Sequence, residues 1–250
     1  MLPRGQDRGP VEFRGREYSL NGDEVRALAT VGAFRVVDTA DFDGKNRDGD
    51  LRHLREQGLA TQVTLTTRGG AHHVVSLTRS GRDLLNAHAV TRPDGRGQTY
   101  YADVVKPREL AHDARLYAVF KKEAGRIEGG GGRIVRVRLD HELKREYQQF
   151  LNRADRLPHA YIDHDRRAFA HAHGLTVVDG HLELPDLRIE YESENGRLEH
   201  RDVELVTEHY SRGQLSGKSR AGFTCYRAGG GSGKAPTGGS PFDPHHLERL

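Results

Sequence analysis

One predicted hairpin carries the acidic side chains that are best placed for chemistry in this sequence. Between 184 and 206, two strands alternate apolar with charged residues, and the apolar positions are all odd: Leu187, Ile189, Tyr191, Val203 and Leu205. They share one face only if the numbers of each cross-strand pair add to an even total. A three-residue loop at 194–196 pairs Ser193 with Arg197 and meets that condition. A two-residue turn at 195–196 would place the apolar sets on opposite faces.

The even register brings carboxylates together. It sets Asp186 opposite Glu204, with Cβ atoms about 5 Å apart, and it sets Arg188 opposite Asp202. Two facing carboxylates repel each other unless a cation lies between them or one is protonated. Mg²⁺ held by one or two carboxylates and by phosphate oxygens suits this arrangement. The pattern therefore predicts metal ligands at Asp186, Glu204 and Asp202; the alternative is a half-exposed sheet with cross-strand ion pairs.

The same residues carry a family resemblance. Pro185-Asp186, a hairpin and then Asp202-Val203-Glu204-Leu205-Val206 resemble the core of the PD-(D/E)xK nuclease superfamily. The resemblance implies carboxylates that bind Mg²⁺ and a lysine, two residues after the second acid, that helps to activate water. With Glu204 as the second acid, Val206 occupies the lysine position; with Asp202 as the second acid, Glu204 occupies it. The register favours Glu204, and Lys218 on the following helix is then the candidate substitute.

A different pattern, near the N-terminus, predicts helices around a β-hairpin. Asn21 opens the first helix through a capping box with Glu24. A weak second helix spans Val37 to Phe42, and a third runs from about Arg47 to Gln57, with Leu51 and Leu54 inward. Two short strands follow, and Thr78 caps a further helix.

The segment LRHLREQGLA…VVSLTRSGRDLL resembles winged-helix transcriptional regulators, over about Tyr18 to Ala89. The resemblance implies that the helix before Gly58-Leu59 lies in the major groove of DNA. The candidate DNA-binding residues on this helix and on the hairpin tip are Lys45, Arg47, Arg52, Arg55, Arg68, His72 and His73. Acidic residues interrupt this surface, and the alternative is a winged helix used for protein contacts.

We expect an α/β (α+β) chain in two domains. The predicted parts are a disordered basic arm (1–16), a winged-helix DNA-binding domain (17–90), a linker (91–111), a restriction-endonuclease-like αβββαβ domain (112–227) and a disordered Gly/Ser/Pro-rich tail (228–250). This combination resembles the replication-relaxation protein family of plasmids and mobile elements. Members of that family are linked to plasmid replication or DNA relaxation.

Composition sets limits on compartment and partners. The formal net charge is only +3, so the distribution of charge matters more than its sum. Cys225 is the one cysteine, which excludes an internal disulfide and a cysteine-based zinc site and favours a reducing cytosol. No apolar run approaches the roughly 20 residues of a membrane span, and 1–16 has no apolar signal core. We expect a cytoplasmic protein without a membrane partner.

The sequence thus predicts a DNA-binding protein of a plasmid or mobile element, with a degenerate nuclease-like domain. Binding of double-stranded DNA would need no cofactor, and further partners would be a second copy of the chain or replication and mobilisation proteins. The alternative is a Mg²⁺-dependent endonuclease that uses Asp186 and Glu204, with Lys218 as a substitute base. A protein-interaction adaptor is a third interpretation.

Overall fold

A computed structural model describes residues 1–42, 46–67, 70–89, 97–103, 110–154, 162–207 and 210–227. These residues form a mixed α+β chain with helices and separate sheets. Within these ranges no helix has both the length and the apolar character needed to cross a membrane. Lys45, Arg68 and the expected tail at 228–250 lie outside the described residues.

The N-terminal segment forms a hairpin, so the expected disordered arm over 1–16 is wrong. β1 (Gly9–Phe13) pairs antiparallel with β2 (Arg16–Leu20). The two-residue turn between them has Arg14 at φ 51° and Gly15 at φ 73°, which is the conformation that tight hairpins require. Val11 lies opposite Tyr18, and both are buried in the core.

The first unit surrounds a three-stranded antiparallel sheet of order β3-β5-β4. Its elements are α1 (Gly22–Phe34), β3 (Val37–Asp38), a 3₁₀ turn (Thr39–Asp41), α2 (Asn46–Glu56), β4 (Ala60–Thr67), β5 (Gly70–Leu77) and α3 (Arg79–Ala87). The capping box of Asn21 and Glu24 is confirmed, with bonds of 2.8 and 2.9 Å. The helix expected over Val37 to Phe42 is wrong, because Val37 pairs with Val75 as a strand.

Helix α2 has the orientation that its sequence predicts. Leu51 and Leu54 are buried in the core. The Leu59 amide donates to the Leu54 carbonyl at 2.9 Å, and Gly58 has a φ of 72° that favours glycine. These contacts end the helix and leave its opposite side turned away from the core.

The second unit has the order helix, three strands, helix, strand, with an insertion after its first strand. Its elements are α4 (Leu110–Gly129), β6 (Arg133–Leu139), α5 (Asp140–Ala154), α6 (Ile162–Ala172), β7 (Val177–Val178), β8 (His181–Leu182), β9 (Leu187–Glu192), β10 (Leu198–Val206), α7 (Arg212–Arg220) and β11 (Thr224–Arg227). The main sheet has the order β11-β10-β9-β6. Its strands are antiparallel except for β10 and β11, which α7 joins in parallel.

The two units share one continuous core. The ring of Phe34 at the end of α1 lies 5.1 Å from that of Tyr117 and 4.9 Å from that of Phe120, both on α4. The segment 97–103 also packs here, since the Gln98 side chain donates to and accepts from the backbone of Val137 at 2.9 Å. The expectation of a plain linker over 91–111 is therefore wrong for 97–103, where Tyr100 is buried.

Gly81 is predicted to be essential for the seating of α3. A Cβ atom at this position would lie 3.0 Å from the Leu59 carbonyl carbon and would clash with the carbonyl oxygen. Because backbone cannot move aside cheaply, we expect Gly81→Ala to lower the free energy of unfolding by about 2 kcal/mol. The control is Gly125→Ala on α4, where the added methyl meets nothing within 4 Å. Its helix propensity should raise stability by about 1 kcal/mol. Urea unfolding measures both, and equal effects would contradict the prediction.

Candidate active site and candidate nucleic-acid interface

The register of β9 and β10 is the one that the sequence predicts. Asp202 pairs with Arg188, and Val203 with Leu187, so each pair adds to an even total. The Ser193 amide donates to the Arg197 carbonyl at 2.8 Å, which closes the three-residue loop. The odd-numbered apolar residues Leu187, Ile189, Val203 and Leu205 are buried in the core that α4 shares, and the even-numbered charged residues of the strands lie on the other face. The alternation thus decides which face carries the charges.

Asp186 and Glu204 lie side by side at one end of these strands. The Asp186 amide donates to Glu204 Oε2 at 3.2 Å, and the Leu205 amide donates to Asp186 Oδ2 at 2.8 Å. The position of Asp186 is also held by its own carbonyl, which accepts from the Asp140 amide at 3.0 Å. Glu204 is only 1% exposed. The predicted facing carboxylates are therefore brought together.

Lys218 reaches this pair from α7. The helix begins at a capping box of Ser211 and Gln214, and Lys218 lies in its last turn. Lys218 Nζ lies 3.2 Å from Glu204 Oε1 and 3.3 Å from Glu183 Oε2. The ammonium also donates to the Leu184 carbonyl at 2.7 Å. An amine thus lies beside Glu204 although Val206 occupies the lysine position of the superfamily motif.

Tyr210 is a neighbour of Glu204 that sequence reasoning missed. Its hydroxyl donates to Glu204 Oε1 at 2.6 Å, the same oxygen that faces Lys218. The residue lies just before the N-cap of α7, and nothing in the local sequence distinguishes it from an ordinary loop tyrosine. Only the return of the chain after β10 brings its phenol to the site.

Two carboxyl groups lie close together at this position. Burial raises the pKa of the Glu204 carboxyl, and the nearby charge of Asp186 raises it further, against the opposing effects of Tyr210 and Lys218. Glu204 and Glu183 face the ammonium of Lys218, and Asp186 lies beside Glu204. Carboxylate oxygens are the hard ligands that Mg²⁺ prefers.

His112 approaches Asp186 from the first turn of α4. His112 Nε2 lies 3.3 Å from Asp186 Oδ2, and Nδ1 lies 3.5 Å from Asp113 Oδ1. Burial acts to lower the pKa of His112, but the two carboxylates outweigh it and raise the pKa to about 10. The sequence signal was the His112-Asp113 pair at a helix start, which is equally well explained by the helix dipole.

Asp202 does not join this group. Its two oxygens bind Arg188, with Nε to Oδ1 and Nη2 to Oδ2 both at 2.7 Å. This bidentate pair is buried, so the prediction of Asp202 as a metal ligand is not supported. In the part of the chain that the structure describes, no three His, Cys, Asp or Glu side chains are grouped to hold a metal ion. A cation at Asp186 and Glu204 would need further oxygen ligands from water or phosphate.

The outward side of α2 carries two of the predicted DNA-binding arginines. Arg52 is 71% exposed and lies 3.8 Å from Glu56, and Arg55 is exposed and donates to Gln62 Oε1 at 2.7 Å. Arg47 belongs to the helix, but its side chain is outside the description, as are Lys45 and Arg68.

On the hairpin, both predicted histidines are exposed and engaged locally. His72 Nδ1 lies 3.2 Å from Asp38 Oδ2, and His73 Nδ1 lies 3.2 Å from Thr64 Oγ1. The side chains of His72, His73, Arg52 and Arg55 lie at the surface. The predicted interface is therefore accessible where it is described.

The raised pKa of His112 predicts a pH-dependent contribution to stability. The folded-state value of about 10 exceeds the ordinary value of 6.5, so the contribution is complete below pH 6.5 and is lost as the pH rises through 10. We expect the difference in unfolding free energy between the wild type and His112→Gln to shrink over that interval. Urea unfolding at stepped pH measures it, with the exposed His164→Gln as control. A difference that does not change with pH would contradict the assignment.

Comparisons of the chain with family models, curated proteins and solved structures returned no match. Function is therefore inferred from the side chains themselves and from the surfaces on which they lie.

Proposed function

We propose that the chain binds duplex DNA through the first unit, with α2 as the recognition helix of a winged helix. The observation that carries the proposal is the division of α2 into two sides. Leu51 and Leu54 anchor one side in the core, while Arg52 and Arg55 extend from the other. Guanidinium groups in the major groove can donate two hydrogen bonds to guanine or bind phosphate oxygens.

The order of elements supports this proposal. A helix, a short strand, a turn, a second helix and a two-stranded hairpin follow one another, and the hairpin pairs with the short strand. In winged-helix proteins this arrangement presents the helix before the hairpin to DNA. The tip of the hairpin, with the exposed His72 and His73, would then contact the adjacent backbone or groove.

Removal of the two arginines tests the proposed interface. We expect Arg52→Ala combined with Arg55→Ala to weaken duplex binding about tenfold at fixed salt and to lower the salt dependence by about two phosphate contacts. The measurement is fluorescence anisotropy titration of a labelled duplex at several salt concentrations.

The matched control removes two exposed arginines outside α2, one in the β1–β2 turn and one on α3, by Arg14→Ala combined with Arg79→Ala. Both double variants lose the same net charge, so a general electrostatic effect would weaken binding equally. Equal affinities of the two variants would exclude α2 as the reader.

A second candidate function is Mg²⁺-dependent cleavage of DNA by the second unit. The observation that favours it is the position of the Lys218 ammonium, 3.2 Å from Glu204 beside Asp186. Two carboxylates and an amine are the side chains that the PD-(D/E)xK resemblance requires. The order of α4, β6, β9, β10, α7 and β11 also agrees with the αβββαβ core of that superfamily.

In this candidate activity, Asp186 and Glu204 would hold the metal ion. Bound Mg²⁺ offsets phosphate charge and lowers the pKa of water. Tyr210 donates to Glu204 and so fixes the orientation of that carboxylate. The Lys218 ammonium, anchored by the Leu184 carbonyl, would offset negative charge on a phosphate that enters the site.

If both proposals hold, a DNA-binding unit followed by a nuclease-like unit would agree with the replication-relaxation family that the sequence resembles, and with a role in the cytoplasm on plasmid or mobile-element DNA. A second copy of the chain, or replication and mobilisation proteins, would be further partners. This assignment rests on the order of elements and on the Asp186, Glu204 and Lys218 group.

Plasmid nicking tests the second candidate. With Mg²⁺ or Mn²⁺, we expect the wild type to convert supercoiled plasmid to the open-circular form. Asp186→Asn and Lys218→Gln should each reduce the rate at least about 100-fold, because each removes a charge at the reacting phosphate. Duplex affinity should stay within about twofold, since α2 is untouched.

Two variants control for general effects of the substitutions. Asp179→Asn changes an exposed carboxylate that pairs with Arg220, and Lys122→Gln changes an exposed lysine on α4. Both should nick at the wild-type rate. If the wild type binds DNA but does not nick it, the DNA-binding proposal stands and Mg²⁺-dependent cleavage is excluded.

A further inference from the structure

A chain of polar contacts joins the first unit to the carboxylate site. Arg35 Nη1, at the end of α1, lies 3.1 Å from Asp113 Oδ2. Asp113 Oδ1 lies 3.5 Å from His112 Nδ1, and His112 Nε2 lies 3.3 Å from Asp186 Oδ2. Asp113 and His112 each contact the side chain on either side of them. This series of contacts crosses the boundary between the two units.

Most of this chain is shielded from solvent. The side chains of Arg35, Asp113 and Asp186 are largely buried, and that of His112 is partly buried. Polar contacts are stronger in such surroundings than at a surface. Arg35 also has a φ of 65°, which is uncommon for a residue other than glycine. The unusual backbone conformation and the ion pair with Asp113 thus occur at the same residue.

The end of the chain fixes one particular oxygen of Asp186. Asp186 Oδ2 faces both the Leu205 amide, at 2.8 Å, and His112 Nε2. Among the described residues Oδ1 has no such donor, so it is the oxygen that is left for a cation. Groups that hold a metal ligand by its second oxygen commonly set the affinity for the metal.

We propose that Arg35, Asp113 and His112 form a positioning chain by which the first unit orients Asp186 for cation binding. The inference rests on the metal site proposed above. Arg35 compensates the buried charge of Asp113, Asp113 orients the imidazole, and the imidazole holds Asp186 Oδ2. DNA-binding and metal-binding units are thereby linked through side chains in addition to their common core.

Mn²⁺ binding to the full-length protein tests the contact of His112 with Asp186. Electron paramagnetic resonance of the free ion measures the binding. His112→Ala and His112→Gln both remove the imidazole, but the glutamine amide can still donate to Asp186. We expect His112→Gln to bind Mn²⁺ about tenfold more tightly than His112→Ala. Equal affinities would show that the imidazole does not position the carboxylate.

The far end of the chain is tested by a double-mutant cycle. Arg35→Gln should weaken Mn²⁺ binding about tenfold in the wild type and less than about twofold in the His112→Ala background. Arg35→Lys, which keeps a cation beside Asp113, should restore most of the affinity. The control is Arg126→Gln, an exposed arginine of α4 whose loss should change nothing. Thermal unfolding checks that each variant is folded.

The outcomes separate the two levels of the proposal. If the wild type binds no Mn²⁺, the metal site itself fails and the positioning chain fails with it. If the wild type binds Mn²⁺ but Arg35→Gln has the same effect in both backgrounds, or none, the metal site stands and the positioning chain is wrong.

Discussion

The pairing of β9 with β10 is the constraint on which the carboxylate site depends. Leu187, Ile189 and Val203 are completely buried, so the strands cannot slip by one residue without moving these side chains out of the core. Such a slip would also turn Asp186 and Glu204 towards the apolar side of α4, at a cost of several kcal/mol for each unpaired charge. The hydrophobic alternation therefore determines which charged side chains meet on the opposite face.

The charges of that opposite face are arranged in two ways. Further along the strands, Arg188 binds Asp202 and Arg138 binds Glu142, and each opposite pair compensates its own burial. At the strand ends, Asp186 and Glu204 carry the same sign and lie against each other. Lys218 and His112 compensate them from two separate helices. Like charges held together by groups from distant elements are common at functional sites.

Periodicity and caps were enough to predict most of the elements and the register, because those depend on local patterns. Helix α2, with Leu51 and Leu54 inward, and the strands around the 194–196 loop follow directly from the spacing of apolar residues. The β1–β2 hairpin was missed because its Arg- and Gly-rich composition suggested disorder, although Val11 and Tyr18 alternate with polar residues as strands require. The alternation of apolar and polar residues predicts this hairpin better than the overall composition does.

The contacts of the site were less predictable than its carboxylates. Asp186 and Glu204 face each other because of a register that two strands define, which a sequence can encode locally. Lys218, Tyr210 and His112 reach the site through the return of α7 and the docking of α4, which depend on tertiary packing. Asp202 was predicted to be a metal ligand because it is a carboxylate. Its cross-strand partner Arg188 instead neutralises its charge.

Helix α4 connects the first unit to the Asp186 and Glu204 carboxylates of the second unit. Its apolar stripe packs Tyr117 and Phe120 against Phe34 of the first unit and also covers the apolar face of the main sheet. Its first turn places His112 and Asp113 between Arg35 and Asp186. The same helix therefore fixes the relative position of the two units and supplies the polar groups at their boundary. A displacement of α1 would be transmitted to Asp186 through both packing and hydrogen bonds, because rigid, densely packed cores transmit strain.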